Sequence, residues 1–185
     1  EADSIFGDTI VLPELVIETH KMSDEDKKQF LLLQKRVYAT YPYARIAAER
    51  LTSLNKGMEK FTSKKDKKRY FKIVEDYLSN EFEARLKKLS KKQGQILVKL
   101  IDRQTGTTTY ELIRNLKSGF KAFVSNTTAS MFNIDLKMQY KPFEVNEDYL
   151  IETILVRGFE SGRLRKQDAA KPIDYEKLDE AWIKK

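Results

Sequence analysis

The sequence predicts a mainly α protein, a single helical bundle-like domain of five or six helices behind a short extended N-terminal arm. Three observations predict it. Apolar residues recur at steps of three and four through most of the chain, which is the helical period. Helix-start signatures, a hydroxyl residue with an acidic or amide residue three positions on, stand at Ser63, Ser90 and Thr108. Only one stretch, Asp8 to Thr19, is dominated by the β-branched residues that suit a pleated surface. The chain divides accordingly into an extended arm at 1–22, a helical domain at 23–162 and a polar tail at 163–185 that carries one short amphipathic helix.

The arm holds Pro13, which cannot donate to a ladder, so it reads as an edge strand or an isolated one. Helical period begins at Ser23 with Phe30, Leu33 and Val37 on one stripe. Tyr41-Pro42-Tyr43 is expected to break that helix, because a proline pushes the residue before it out of helical geometry. A second helix then starts at Pro42, with Ala44, Ala47, Leu51, Leu54 and Met58 inward. Ser63 with Asp66 opens the next, which carries Phe71, Val74, Leu78 and Phe82 inward. Its first turns hold Lys64, Lys65, Lys67, Lys68 and Arg69, where the helix dipole disfavours cations; the simplest reading is a solvated cluster.

The stretch from Ser90 to Arg114 carries two helices and the turn between them. Ser90 with Gln93 and Thr108 with Glu111 are capping boxes, and Gly106 stands where a left-handed C-cap is needed. Ile96, Leu97, Leu100 and Ile101 face inward before the turn. After it a long helix is expected, with Ile113, Leu116, Phe120, Phe123, Thr127 and Met131 as its stripe. Residues 133–146 read as a loop, Asn146 as the cap of the last core helix, and Gly158 or Gly162 as its end. In the tail, Tyr175, Leu178 and Trp182 mark the short helix, docked by Trp182 or exchanged with another copy.

Composition excludes several classes. The absence of cysteine removes disulfides, thiolate nucleophiles, thiolate-held zinc and iron–sulfur clusters. A single histidine, His20, removes a multi-histidine metal site within one chain, and nothing around it resembles a hydrolase nucleophile turn. No cofactor loop is visible, and no apolar run is long enough to span a bilayer. The excess of 35 Lys and Arg over 28 Asp and Glu gives +7, compatible with nucleic acid or anionic surfaces and also with exported proteins at large. A start at Glu1-Ala2-Asp3 carries the expectation that a signal peptide or a cloning boundary precedes it.

Four constellations are candidates for function. Lys99, Asp102 and Arg103 share one face of a helix end, and Tyr110, Arg114 and Lys117 follow if the turn folds back; together they could grip a carboxylate or phosphate. The alternative is that Asp102 pairs with Arg103 or Arg114 and locks the turn. Arg114, Lys117 and Lys121 form a basic stripe that could track phosphates, without any nucleic-acid motif beside it. Tyr38, Tyr41 and Tyr43 could line a groove or wedge a corner. The arm could add as a strand to a partner's sheet. No catalytic residue is assigned: Glu49, Glu75, Glu81, Glu111 and Glu152 all sit beside cations, as on solvated faces.

The segments TYPYA (Thr40 to Ala44), LSKKQGQILVKLIDRQTG (Leu89 to Gly106), YELI (Tyr110 to Ile113), SGFKAF (Ser118 to Phe123), FNIDLKMQY (Phe132 to Tyr140) and LPELVI (Leu12 to Ile17) together resemble a bacterial family known as domain of unknown function 4294. The resemblance spans roughly residues 8–162, departs where Val124 or Ser125 replaces an expected aromatic, and leaves out the tail. It implies an exported protein and carries no activity with it. The reading that follows is a non-enzymatic exported helical domain that binds an envelope component, the arm being one route to a protein partner. Anion or nucleic-acid binding through a basic helix face is the alternative, and an enzyme of unrecognised type the second.

Overall fold

The computed structural model describes residues 23–116 and 134–184. The arm with His20, the continuation of the helix past Leu116, and Lys117 and Lys121 lie outside the described residues. Those described form α1 (Asp24–Lys60), α2 (Lys64–Asp76), a π-helical turn (Tyr77–Phe82), α3 (Glu83–Leu86), α4 (Lys91–Thr105), α5 (Thr109–Asn115), α6 (Asn146–Glu160) and α7 (Tyr175–Ile183). Because α2, the π turn and α3 run on without interruption, they make one rod, and the described residues hold six helical bodies in a bundle.

The long helix α1 is the spine. Its stripe of Phe30, Leu33, Val37, Tyr41, Ala44, Ala47, Leu51 and Leu54 is buried, and α4, α5, α6 and α2 all pack on it. Ala44, Ala47 and Ala48 keep that surface low, so α4 can lie closely along it. The expected break at Pro42 does not occur: α1 passes through it. An interior proline removes one donor and costs about 3 kcal/mol. Here Pro42 points to solvent while its neighbours Tyr41 and Ala44 are buried, so packing of the stripe on both sides overrides the local rule.

Local signals hold elsewhere. Ser63 Oγ accepts from Asp66 N at 3.1 Å, and both capping boxes form at Ser90/Gln93 and Thr108/Glu111. Gly106 is left-handed at φ 70°, and its N–H donates to Asp102 O at 2.7 Å. The π turn spaces Tyr77 and Phe82 five residues apart so that both are buried with rings 6.4 Å apart; no sequence pattern announced it.

Other expectations change. Asn146 does not cap α6 but is its first residue, following Val145, and no side chain caps that end. Gly162, at φ 71°, closes α6, whereas Gly158 lies within it; a Cβ there would meet Leu164 Cδ1 at 2.8 Å. The tail docks on its own chain. Leu178 is fully buried, Tyr149 stacks on Trp182 at 5.4 Å, and the Trp182 indole N–H donates to Pro142 O at 2.7 Å.

Candidate functional site

The polar residues singled out around the α4–α5 turn do not share one surface. Lys99 and Arg103, four apart on α4, point inward to Asp148 and Glu152, four apart on α6. Lys99 Nζ lies 2.6 Å from Asp148 Oδ1 and 3.3 Å from Glu147 Oε2. Arg103 makes a two-pronged contact with Glu152, Nε to Oε2 and Nη2 to Oε1, both 2.8 Å. Pairing that advances by four on each helix means that α4 and α6 run in the same direction along this seam.

The seam is dry. Lys99 and Arg103 are 5% and 7% exposed, Asp148 and Glu152 0% and 3%. Glu152 is therefore not on a solvated face, contrary to the expectation from its neighbours; it shares a stripe with Asp148 and Leu155, a stripe turned to the interior. Burying such charges is costly unless each finds partners, and each does. Tyr140 Oη donates to Glu152 Oε2 at 2.8 Å, Lys141 N donates to Asp148 Oδ2 at 2.8 Å, and Arg103 Nη1 donates to Gln167 O at 3.2 Å. Burial pushes the Asp148 carboxyl above its ordinary value, against the pull of Lys99 and the Lys141 N–H. Burial raises Glu147 too, but Lys99 and Lys92 outweigh it and hold that carboxyl below its usual range. Burial, reinforced by Glu152, keeps Tyr140 protonated and so a donor.

Asp102 behaves differently from its neighbours. It pairs with neither Arg103 nor Arg114; its Oδ2 accepts from Tyr140 N at 2.8 Å. It forms one wall of a cleft of 390 Å³, opposite Gln139, Lys141, Pro142 and Phe143 on one side and Ala169, Lys171, Pro172 and Ile173 on the other. Burial pushes its carboxyl up, Lys171 pulls it back, and Glu111 pushes it up again. Glu111 is tied into the α5 capping box, and Lys141 pairs with Glu144 at 3.3 Å. With Arg103 committed to Glu152, the acids lining the cleft outnumber its cations by one, in a chain whose total is +7.

Among the remaining candidates, Tyr110 is half-buried; its N–H donates to Leu136 O, and Lys137 Nζ stands 4.7 Å from its ring centroid. Arg114 is exposed. The three tyrosines near Pro42 do not line a single groove. Tyr41 is buried with its hydroxyl on Arg165 O at 2.9 Å, Tyr43 lies under Arg85, and Tyr38 lies under Arg163.

The sequence model described as domain of unknown function, DUF4294, matches residues 3–157. The chain belongs to the DUF4294 family. The match takes in α1 through nearly all of α6, hence both sides of the buried seam. The cleft straddles its boundary: Asp102 and residues 139–144 lie within the matched span, and residues 169–173 lie beyond it. Neither a curated protein nor a solved structure matches the chain. No helix among the described residues is long and apolar enough to cross a membrane. What sequence reasoning missed in this DUF4294 chain is the α6 half of the seam. The sign available was an i, i+4 pair of acids, Asp148 and Glu152, set in the same apolar helix as Ile151, Ile154 and Leu155.

Proposed function

We propose that the chain is a binding domain without a reaction of its own, exported to the envelope, whose ligand seat is the cleft beside Asp102. The observation that carries this reading is the division of labour around the α4–α5 turn. Lys99 and Arg103, the cations an anionic ligand would need, are already engaged by carboxylates. Asp102 keeps one oxygen beyond its bond to Tyr140 N and lines an open cleft whose volume suits a small polar group. The excess of acid there favours a cation, and Pro142, Phe143, Pro172 and Ile173 supply apolar surface beside it. A lysine or arginine side chain flanked by apolar residues, as on a protein partner, fits both. The export that the family resemblance implies would place that partner in the envelope.

The reading is tested by titrating the protein with N-acetyl-arginine amide, N-acetyl-lysine amide and N-acetyl-glutamate amide while following backbone amide shifts. The cationic probes are expected to move Thr108 and Tyr140, and the anionic one to leave them in place. Asp102→Asn retains an oxygen for the Tyr140 N–H, so it should keep the fold and lose the response. Absence of any cleft response, or an unchanged one in Asp102→Asn, would overturn the reading. The second reading, anion binding through a basic helix face, draws support from the exposure of Arg114. It predicts oligonucleotide binding whose affinity falls steeply with salt.

A further inference from the structure

The chain's positive charge is concentrated in one place. Between Lys56 and Lys72, where α1 ends and α2 begins, stand Lys56, Lys60, Lys64, Lys65, Lys67, Lys68, Arg69 and Lys72 against only Glu59 and Asp66. That is eight cations to two carboxylates, so 17 residues hold all but one unit of the net +7. All eight are exposed, and among the described residues none is in an ion pair. Asp66, the nearest acid, is occupied in capping: its carboxylate accepts from Ser63 Oγ at 2.8 Å.

This arrangement runs against the helix's own field. In α2 the cations occupy the first turns, where the dipole disfavours them. Elsewhere several exposed cations are paired: Lys87 with Glu83, Lys92 with Glu147, Lys141 with Glu144 and Lys177 with Asp174. Those without an ion pair among the described residues, such as Lys28 and Lys35, are scattered; the corner differs in gathering eight of them within 17 residues. A corner left without counter-charges, at a helix end where anions are welcome and cations are not, is built to meet anions from outside.

The kind of anion follows from the side chains. Seven of the eight are lysines, point charges without the fork that reads paired acceptors on bases or phosphates. The aromatic rings at the corner are not offered for stacking: Phe61 and Tyr70 lie against each other with centroids 5.0 Å apart, and the Tyr70 hydroxyl donates to Leu54 O. What is offered beside the cations is aliphatic. Ile73, one turn on from Arg69, is 49% exposed while Val74 next to it is buried. Lysines in a cluster with an aliphatic residue at its edge suit a membrane surface, where the ammonium groups meet lipid phosphates and the aliphatic chain enters the interface.

We propose that the α1–α2 corner is a docking surface for a membrane face rich in anionic phospholipid. It is independent of the cleft and needs no membrane-spanning helix.

The test is co-sedimentation of the full chain with phosphatidylcholine vesicles, with and without about one-third phosphatidylglycerol, as a function of salt. The expected result is binding only to the anionic vesicles, weakening as salt rises. A cation near such a surface contributes roughly fivefold in affinity. Lys64→Gln/Lys68→Gln/Lys72→Gln should therefore weaken binding about a hundredfold, without lowering the melting temperature. The control Lys28→Gln/Lys35→Gln/Lys166→Gln removes the same charge elsewhere and should bind nearly as the parent does. Equal losses in both triples would reduce the effect to net charge and overturn the proposal. So would absence of vesicle binding, or binding through this corner to a single- or double-stranded oligonucleotide with none to vesicles.

Discussion

The seam between α4 and α6 and the corner between α1 and α2 use the same charged residue types in opposite ways. In the seam, Lys99 and Arg103 are buried and each meets a carboxylate at 2.6–2.8 Å. At the corner eight cations are exposed and, among the described residues, none meets one. Buried charges must be paired because water no longer solvates them, whereas exposed ones need no partner for the fold to stand. The contrast teaches where to look for function: charges that are already answered hold the molecule together, and charges that are not answered are free to answer something else.

The largest expected effect breaks the seam. Arg103→Met leaves Glu152 buried without its partner and should cost about 3–5 kcal/mol in urea unfolding. Replacing both, Arg103→Met with Glu152→Leu, removes the stranded charge and should restore most of that loss. A similar loss in the single and double variants would deny that the pair is coupled.

Next in size is the docking of the tail, which roofs one side of the cleft. Leu178→Ala empties a fully buried position and should destabilise by about 2–4 kcal/mol. If α7 forms one cooperative unit with the bundle, the circular-dichroism and tryptophan-fluorescence transitions will coincide; Trp182 is the sole tryptophan and reports on the docking of α7 against Tyr149 and Pro142.

A smaller effect separates Asp102 from its buried neighbours. Its carboxyl is raised by burial, so the folded protein holds a proton there over a range where the unfolded chain has released it. The stability that this contributes is complete below the ordinary 3.8 and is lost as pH rises through the folded value. Asp102→Asn cannot titrate. Its stability relative to the parent should therefore rise as pH climbs above 3.8 in paired denaturation curves. A constant difference across that range would place Asp102 in an ordinary solvated setting. Smallest of all is the corner: Lys64→Gln/Lys68→Gln/Lys72→Gln should move stability by no more than about 0.5 kcal/mol per site, and upward if anything, since it relieves the helix dipole.

Much of this was legible in the sequence wherever the cause is local. The caps at Ser63, Ser90 and Thr108, the left-handed Gly106 and the short tail helix each depend on residues within four positions of one another. Pro42 misled because the local penalty is real but is overcome by Tyr41 and Ala44 packing inward on either side of it. Arg103 was identified as important, yet its partner Glu152 stands 49 residues away, and no spacing rule reaches that far. Glu152 reads as solvated because its helix also carries Arg157, Glu147 and Asp148; in space it faces Arg103 and Tyr140. The cleft escaped notice for the same reason: it forms only where Asp102, residues 139–144 and residues 169–173 converge.

The most direct test of the central claim is the Arg103→Met/Glu152→Leu double variant, measured for unfolding, for vesicle binding and for the cationic-probe response together. The account predicts a folded protein of near-parental stability that still binds anionic vesicles and still shows the Asp102-dependent shifts. A double variant that folds as well as the parent but has lost either response would contradict it, and would make the buried pair part of the binding machinery and not a lock.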